Sequence, residues 1–230
     1  MAINTTKINL SNELKIEIAL EKIWDERYKE EEPIAPIFSN ELYKNSITYL
    51  CLNPSLPPAL RSSAKRGNHP DFPYPMVDWK LEKAAYPFFN KFYDLGKKFH
   101  PWTVMDLLYE RDSSQKNLEL KYNRKTISTT DKSFLLQQIR LTFKILKALN
   151  PPLVVLSNSF ANKLIHEHLN ALDIRQEIPS SENNYIYRLN GIPFITNESS
   201  YMGSRFLQKN KLRIKKLTVE IDRILTLVKQ

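Results

Sequence analysis

The chain has 230 residues and a formal net charge of +9, and 42% of its residues are hydrophobic and 11% aromatic. This composition supports a packed core and argues against intrinsic disorder. The single cysteine excludes internal disulfides and argues against a cysteine-based zinc site, and no apolar run approaches the roughly 20 residues that span a bilayer.

Charge is distributed unevenly along the chain. Residues 1–40 carry eight acidic and five basic side chains, whereas residues 205–230 carry eight basic and two acidic ones. The basic region indicates a polyanionic partner, with nucleic acid favoured over a membrane, although a solvated lysine-rich helix is the alternative. The amino-terminal sequence lacks the apolar segment of a signal peptide, so we expect a cytoplasmic protein.

The first predicted element is a helix over residues 11–32, in "SNELKIEIALEKIWDERYKEEE". Ser11 or Asn12 can cap it. Its predicted buried stripe consists of Leu14, Ile18, Ile23 and Trp24. We expect residues 1–40 to form a helical extension packed on a domain that spans residues 41–230.

The rest of the chain alternates between strands and helices. A buried strand over residues 46–52 precedes a long irregular segment over residues 53–79, which holds six of the fourteen prolines. Segments of this kind are more often functional than not. The later elements are a helix over 80–99, a strand over 101–109, a helix over 131–149 capped by Asp131, a strand over 151–158, a helix over 159–172, a hairpin around Asn190-Gly191 and a basic helix over 205–229. This alternation predicts an α/β fold around a mainly parallel sheet.

In such sheets, binding sites form beyond the carboxyl ends of the strands. The residues at the predicted strand ends are short and polar, and none of them forms a metal-ligating cluster. They are Asn53-Pro54-Ser55, Asp106, Asn158-Ser159 and Asn197 to Ser200. His166 and His168 are two residues apart on a helix and so point to different faces, which argues against a metal site. Only four glycines and no Gly-x-Ser-x-Gly motif are present, which argues against phosphate-binding loops and a serine hydrolase.

The ordered motifs resemble those of the uracil-DNA glycosylase superfamily, most closely its mismatch-specific branch. The first family motif, Gly-x-Asn-Pro-Gly, is similar to "CLNPS", which contains Asn53 and has Cys51 and Ser55 in place of the glycines. The last motif, Asn-Pro-Ser-Gly-Leu-Ser, is similar to "TNESSYMGSR", which contains Asn197 and has Glu198 in place of the proline. The segment "LNPPLVVLSNSFANKLI" looks like the middle strand of the family.

This resemblance covers residues 45–230 and implies a three-layer α/β/α fold with a central, mainly parallel four-stranded sheet. It implies an enzyme that flips a base out of DNA and hydrolyses its N-glycosidic bond without a cofactor or metal. Asn53 would orient the attacking water and Asn197 would contact the base carbonyl, and turn formation is the alternative role for both amides. The DNA contacts would fall on Ser55, Ser199, Ser200, Tyr201 and Arg205.

Three further residues are candidates for binding the flipped base. The family places an aromatic ring in the loop after the first motif, where Phe72 is the first choice and Tyr74 the second; an ordinary loop anchor is the alternative. Asp106 lies near the position where some branches carry a base-reading Asn. An ionised carboxylate only accepts hydrogen bonds, which suits a base that presents donors better than uracil O4. Pairing with Arg111 or capping of a loop is the alternative role of Asp106.

We therefore expect a monomeric DNA glycosylase-like protein that acts on a damaged or mismatched base in DNA and has no membrane partner. A second hypothesis is a non-catalytic nucleic-acid-binding relative that keeps the fold and the basic surface. A third hypothesis is a hydrolase for a small nucleoside-like substrate.

Overall fold

The computed structural model describes the chain in segments. They are residues 6–8, 14–29, 35–38, 42–53, 77–78, 83–84, 102–112, 114–156, 158–177, 186–196, 218–219, 221–223 and 225–226. The strands are β1 (Thr6–Ile8), β2 (Leu42–Lys44), β3 (Thr48–Cys51), β4 (Val77–Asp78), β5 (Lys83–Ala84), β6 (Thr103–Asp106), β7 (Val154–Leu156), β8 (Gln176–Glu177), β9 (Ile186–Leu189) and β10 (Ile192–Thr196). The helices are α1 (Ile16–Arg27), α2 (Gln115–Lys121), α3 (Thr129–Leu149), α4 (Ser159–Glu167) and α5 (Leu169–Leu172). None of the helices in these segments is long and apolar enough to cross a bilayer.

A six-stranded sheet in the order β6-β3-β7-β10-β9-β8 forms the framework. The first four strands run parallel, and β9 and β8 extend the sheet beyond β10 in antiparallel orientation. The chain is therefore mixed α/β with a mostly parallel sheet, as predicted, but the predicted count of four strands is wrong. The count rises to six because β9 turns back beside β10 within the same sheet and β8 then pairs with β9.

The predicted hairpin at Asn190-Gly191 is confirmed. β9 ends at Leu189 and β10 begins at Ile192, which leaves a two-residue loop. Both loop residues have positive φ, 49° at Asn190 and 78° at Gly191, as a type I′ turn requires. This turn matches the twist of the flanking strands, so local turn chemistry accounts for the antiparallel edge of the sheet.

Both faces of the parallel strands are buried. Leu50 of β3 belongs to the core cluster that contains side chains of α1 and α3. Tyr49 and Cys51 alternate onto the opposite face, and they are 0% and 4% exposed. Because neither face meets solvent, the strand reads as a continuous apolar run rather than as an alternating one.

Helix α3 begins two residues before the predicted cap. Ser128 is the N-cap, and its Oγ accepts a hydrogen bond from the Asp131 N–H at 3.0 Å. The predicted cap, Asp131, lies instead in the first turn, where its carboxylate accepts a hydrogen bond from Ser128 Oγ at 2.7 Å. The helix ends at Leu149, and its C-cap, Asn150, has a φ of 48°, the left-handed conformation common at helix ends.

Helix α1 packs against the amino-terminal half of α3. Trp24 is 1% exposed, and its ring centroid lies 4.9 Å from that of Phe134 in an edge-on arrangement. At the end of α1, Arg27 forms an ion pair with Asp131 at 2.9 Å. The described part of the amino-terminal region thus shares its hydrophobic core with the sheet domain.

The limits of α1 differ from the prediction. The helix begins after Lys15, which has φ 50° and no side-chain cap, so neither Ser11 nor Asn12 is the N-cap. The predicted stripe residue Ile18 is 63% exposed, because the buried positions follow a helical repeat that skips it. These buried positions are Ile16, Leu20, Ile23 and Trp24.

The predicted helix over residues 80–99 is wrong at the residues of it that the structure describes. Lys83 and Ala84 form β5 and pair antiparallel with Asp78 and Val77 of β4. Helix propensities differ by only a fraction of a kcal/mol per residue, so backbone pairing overrides them here. The other residues of that prediction lie outside the described segments.

Candidate functional site at the carboxyl ends of the parallel strands

The carboxyl ends of the parallel strands lie along one edge of the sheet, where α/β proteins place their sites. Asp106 ends β6 in register with Cys51 of β3, and Asn53 follows two residues later. Neighbouring strands are about 5 Å apart, so Asn53 and Asp106 lie at the same edge on adjacent strands. On the next pair, Thr196 of β10 is in register with Leu156 of β7.

Asn53 and Asp106 are the predicted site residues that the structure brings together at this edge. The other predicted site residues lie outside the described segments, and their roles stay predictions. They are Ser55, Phe72, Tyr74, Asn197, Ser199, Ser200, Tyr201 and Arg205.

The side-chain amide of Asn53 is oriented by the loop after β6. Its Nδ2 donates hydrogen bonds to the backbone carbonyls of Asp112 at 3.2 Å and Glu110 at 3.4 Å. Both partners can only accept, so they determine which end of the amide carries the nitrogen. The half-buried side chain therefore has a structural role in clamping the loop.

That loop is anchored to α3 by two fully buried polar side chains. Gln138 Oε1 accepts hydrogen bonds from the N–H groups of Tyr109 at 2.8 Å and Glu110 at 3.0 Å. Thr142 Oγ1 donates to the Leu107 carbonyl at 2.9 Å. Both side chains are 0% exposed. The part of the loop from Leu107 to Glu110, which includes one of the two carbonyls that hold Asn53, is therefore attached to the hydrophobic core through α3.

Glu110 connects the same loop to α2. Its carboxylate lies 2.6 Å from Lys121 Nζ and accepts a hydrogen bond from the Tyr122 hydroxyl. Burial raises the pKa of Glu110, and the adjacent Lys121 ammonium opposes this shift. Breaking a buried ion pair strongly destabilises a protein, because it leaves an uncompensated charge. The Glu110–Lys121 pair therefore adds a second anchor for the loop.

Asp106 is a buried carboxyl without a described hydrogen-bond partner for its side chain. It is 7% exposed, and burial raises its pKa to about 7. Asp106 and Arg111 form no ion pair, so the alternative role of pairing with Arg111 is wrong. Near neutral pH the carboxyl is present in both protonation states, and the protonated form donates as well as accepts hydrogen bonds.

Asn158, at the end of β7, has a structural role. Its Oδ1 accepts a hydrogen bond from the Ala161 N–H at 3.0 Å and so caps α4. Its Nδ2 donates to Gln115 Oε1 at 3.0 Å, which connects α4 to α2. Capping is the commonest use of Asn before a helix.

Sequence reasoning missed Gln138, Thr142 and Glu110. Gln138 and Thr142 lie on the otherwise apolar face of α3, in "FLLQQIRLTFKIL". A polar residue on a buried face must find a partner, and this was the signal available in the sequence. The partners themselves, 28 to 35 residues earlier in the chain, were not readable from it.

Cavities lined by described residues lie at both ends of the parallel strands. A groove of about 530 Å³ lies between α2 and the start of α4, near the carboxyl ends, and its charged lining residues are Lys116, Lys163 and Glu119. A larger cavity of about 690 Å³ lies at the amino ends, where Pro151 precedes β7 and Gly191 precedes β10. The larger cavity is therefore remote from Asn53 and Asp106. Among the described residues, no group of three or more His, Cys, Asp or Glu side chains could hold a metal ion.

No family model matches the chain, and no curated protein shows significant sequence similarity to it.

Proposed function

We propose that the chain is a DNA glycosylase-like protein of the uracil-DNA glycosylase superfamily with a three-layer α/β/α fold. It would hydrolyse the N-glycosidic bond of a damaged or mismatched base without a cofactor. The observation that carries this proposal is the presence of Asn53 and Asp106 together at the carboxyl ends of adjacent parallel strands. The burial of side chains on both faces of the parallel strands supports the three-layer arrangement.

The orientation of Asn53 fits the activation of water. Its amide hydrogens point to the carbonyls of Glu110 and Asp112, so the attacking water would donate to Oδ1, which only accepts hydrogen bonds. A water molecule that donates a hydrogen bond to Oδ1 keeps its oxygen lone pairs available for attack on a sugar carbon. An amide takes up no proton, so the reaction depends on departure of the base and is slow.

Asp106 fits the binding of a base that has an N–H group beside a carbonyl. Its protonated carboxyl presents one donor and one acceptor side by side, and burial keeps this form populated up to neutral pH. Uracil, hypoxanthine, xanthine and thymine all have such an edge. Asn197, Phe72 and Tyr74 would complete the base site.

The charge of the chain fits DNA as the partner. The net charge is +9, and the groove beside the carboxyl ends is lined by two lysines, Lys116 and Lys163, and one acidic residue, Glu119. Cations beside a site attract the phosphate backbone and make binding dependent on salt. The protein would act as a monomer, with Ser55, Ser199, Ser200, Tyr201 and Arg205 in contact with the DNA.

A non-catalytic nucleic-acid-binding relative is the second candidate. The observation that favours it is the clamping of Asn53 to two backbone carbonyls, which accounts for the residue without any chemistry. In that case the fold and its cationic side chains would bind DNA, and no base would be released.

The test incubates the protein with labelled oligonucleotides that carry uracil, hypoxanthine, xanthine or mismatched thymine and then cleaves abasic sites with alkali. Strand breaks that disappear in Asn53→Ala support the glycosylase. Asn150→Gly is the matched control, because it removes an asparagine at the opposite edge of the sheet and glycine tolerates its positive φ. Salt-dependent binding without breaks supports the second candidate, and turnover of free nucleosides alone would indicate a small-molecule hydrolase.

A further inference from the structure

We propose that the cavity at the amino ends of the parallel strands binds a small organic anion with an apolar body. Its volume of about 690 Å³ lies in the range of small-molecule sites, about 300–1,000 Å³. The cavity lies at the opposite end of the strands from Asn53 and Asp106, so this inference goes beyond the proposed function and does not depend on it.

The walls of the cavity are apolar and come from separate parts of the fold. Phe143 belongs to α3, Pro193 to β10 and Leu225 to the described residues near the carboxyl terminus. Phe143 is 9% exposed and Leu225 is 8% exposed. The other apolar residues of the lining are Pro151, Pro152 and Ile192. A ligand in the cavity therefore transfers its apolar body from water to an apolar surface, which favours binding.

The charged residues of the described lining are both cationic. Lys147 lies in the last turn of α3 and Arg188 lies on β9, and both are exposed. Neither forms an ion pair with another described residue. Glu177 of β8 is directly opposite Arg188 in the sheet, but its carboxylate lies 3.9 Å from Arg175. The two cations therefore make the rim of the cavity attractive to an anionic group.

Each cation also has a structural use that leaves it able to bind an anion. Arg188 Nη1 donates to the Gly191 carbonyl at 2.9 Å, and this bond uses one of the five N–H donors of a guanidinium group. Lys147 lies at the negative end of the α3 dipole. At that end the Leu149 carbonyl already accepts a hydrogen bond from the Asn45 N–H at 2.8 Å, so Lys147 is not required to satisfy it.

The rim is held in place by asparagines in left-handed turn positions. Asn45, Asn150 and Asn190 line the cavity and have φ values of 55°, 48° and 49°. Asn150 Nδ2 donates to Asn45 Oδ1 at 3.0 Å, and Asn190 Oδ1 accepts from the Arg175 N–H at 2.8 Å. These bonds join the turn after β2 to the end of α3 and fix the β9–β10 hairpin. A rim that is fixed before binding loses little conformational entropy when a ligand arrives.

The test titrates the whole chain with 8-anilinonaphthalene-1-sulfonate, which joins an aromatic body to one anionic group and fluoresces strongly in apolar surroundings. We expect saturable binding with a dissociation constant on the order of 10 μM, which is the usual ligand efficiency for a molecule of this size. N-phenyl-1-naphthylamine has the same aromatic body without the sulfonate and is the matched uncharged probe.

Arg188→Gln and Lys147→Gln each remove one cation from the rim. Each should weaken binding of the sulfonate by about three- to tenfold and leave binding of the uncharged probe unchanged. Lys132→Gln is the matched control, because it removes the same charge from α3 about four turns before Lys147. Its dissociation constant should stay within about twofold of wild type, since the distance exceeds the screening length. Undiminished binding in both rim variants, or an equal loss in Lys132→Gln, would overturn the inference.

The amide resonance of Gly191 reports where the sulfonate binds. The chain has four glycines, so the glycine amide signals are few, and the Gly191 signal is the one lost in Gly191→Ala. This signal should shift as the wild type is saturated and should shift less in Lys147→Gln at the same probe concentration. Circular dichroism verifies that each variant is folded. An unshifted Gly191 signal at saturation, or fluorescence that does not saturate, overturns the inference whatever the result of the glycosylase assay.

Discussion

Asp106→Asn is expected to remove a pH-dependent destabilisation of the folded protein. Burial raises the pKa of the Asp106 carboxyl from 3.8 to about 7. Between these values the folded protein holds a proton that the unfolded chain has released. The free energy of unfolding therefore falls as the pH rises through this window. Asparagine has nearly the same shape and no charge, so the variant lacks this dependence.

The magnitude follows from the size of the shift. A displacement from 3.8 to about 7 is close to three pH units, and each unit corresponds to about 1.4 kcal/mol. The burial of the carboxylate thus costs about 4 kcal/mol at pH values above the folded pKa and nothing below the unfolded one. Because Asp106 is only 7% exposed, solvent screening reduces this cost little.

Urea unfolding of the wild type and Asp106→Asn, followed by circular dichroism from about pH 4 to about pH 8, tests this linkage. The stability of the variant relative to the wild type should rise by about 4 kcal/mol across the range. Other titrating groups occur in both proteins, so their contributions largely cancel. If the difference in free energy of unfolding between the two proteins is the same at every pH, the raised pKa of the buried Asp106 carboxyl is refuted.

Asp131→Asn is a control in which the pH dependence of stability is expected to have the opposite sign. Burial alone would raise the pKa of Asp131, but hydrogen bonds from Ser128 and Arg27 outweigh it and lower the pKa. The contribution of this carboxylate is present above its unfolded pKa and is lost as the pH falls through the folded one. The stability loss in Asp131→Asn should therefore be largest near neutral pH and shrink in acid.

Three further predictions concern stability. Ser128→Ala removes the acceptor for the Asp131 N–H and should cost about 1 kcal/mol in urea unfolding, whereas Ser128→Asp keeps an acceptor and should cost less; equal losses would contradict the capping role. Gly191→Ala should cost about 1–2 kcal/mol from its φ of 78° alone, because an added Cβ meets nothing within 4 Å; a neutral result would argue against the type I′ turn. Trp24→Ala should lower stability by about 3–5 kcal/mol, since the ring is 1% exposed and packs 4.9 Å from Phe134; retention of the wild-type melting temperature would show that α1 is not docked on α3.

The sequence alone was sufficient for features that depend on neighbouring residues. The alternation of apolar strands and helices predicted the α/β class, and Asn190-Gly191 predicted the hairpin, because positive φ at two successive positions is a local property. The amphipathic repeat predicted α3 to within two residues at its start and correctly at its end. The sequence likewise marked Asn53 and Asp106 as strand-end residues.

Tertiary structure alone decided what those residues contact. Asn53 is clamped by the carbonyls of Glu110 and Asp112, 57 and 59 residues away. The N–H group of Glu110 in turn donates to Gln138, a further 28 residues along the chain. Such partners depend on how the strands and α3 come together, which no short window of sequence encodes. The burial of Asp106, and with it the raised pKa, has the same origin: desolvation is a property of the packed surroundings, whereas the residue type specifies only that a carboxyl is there.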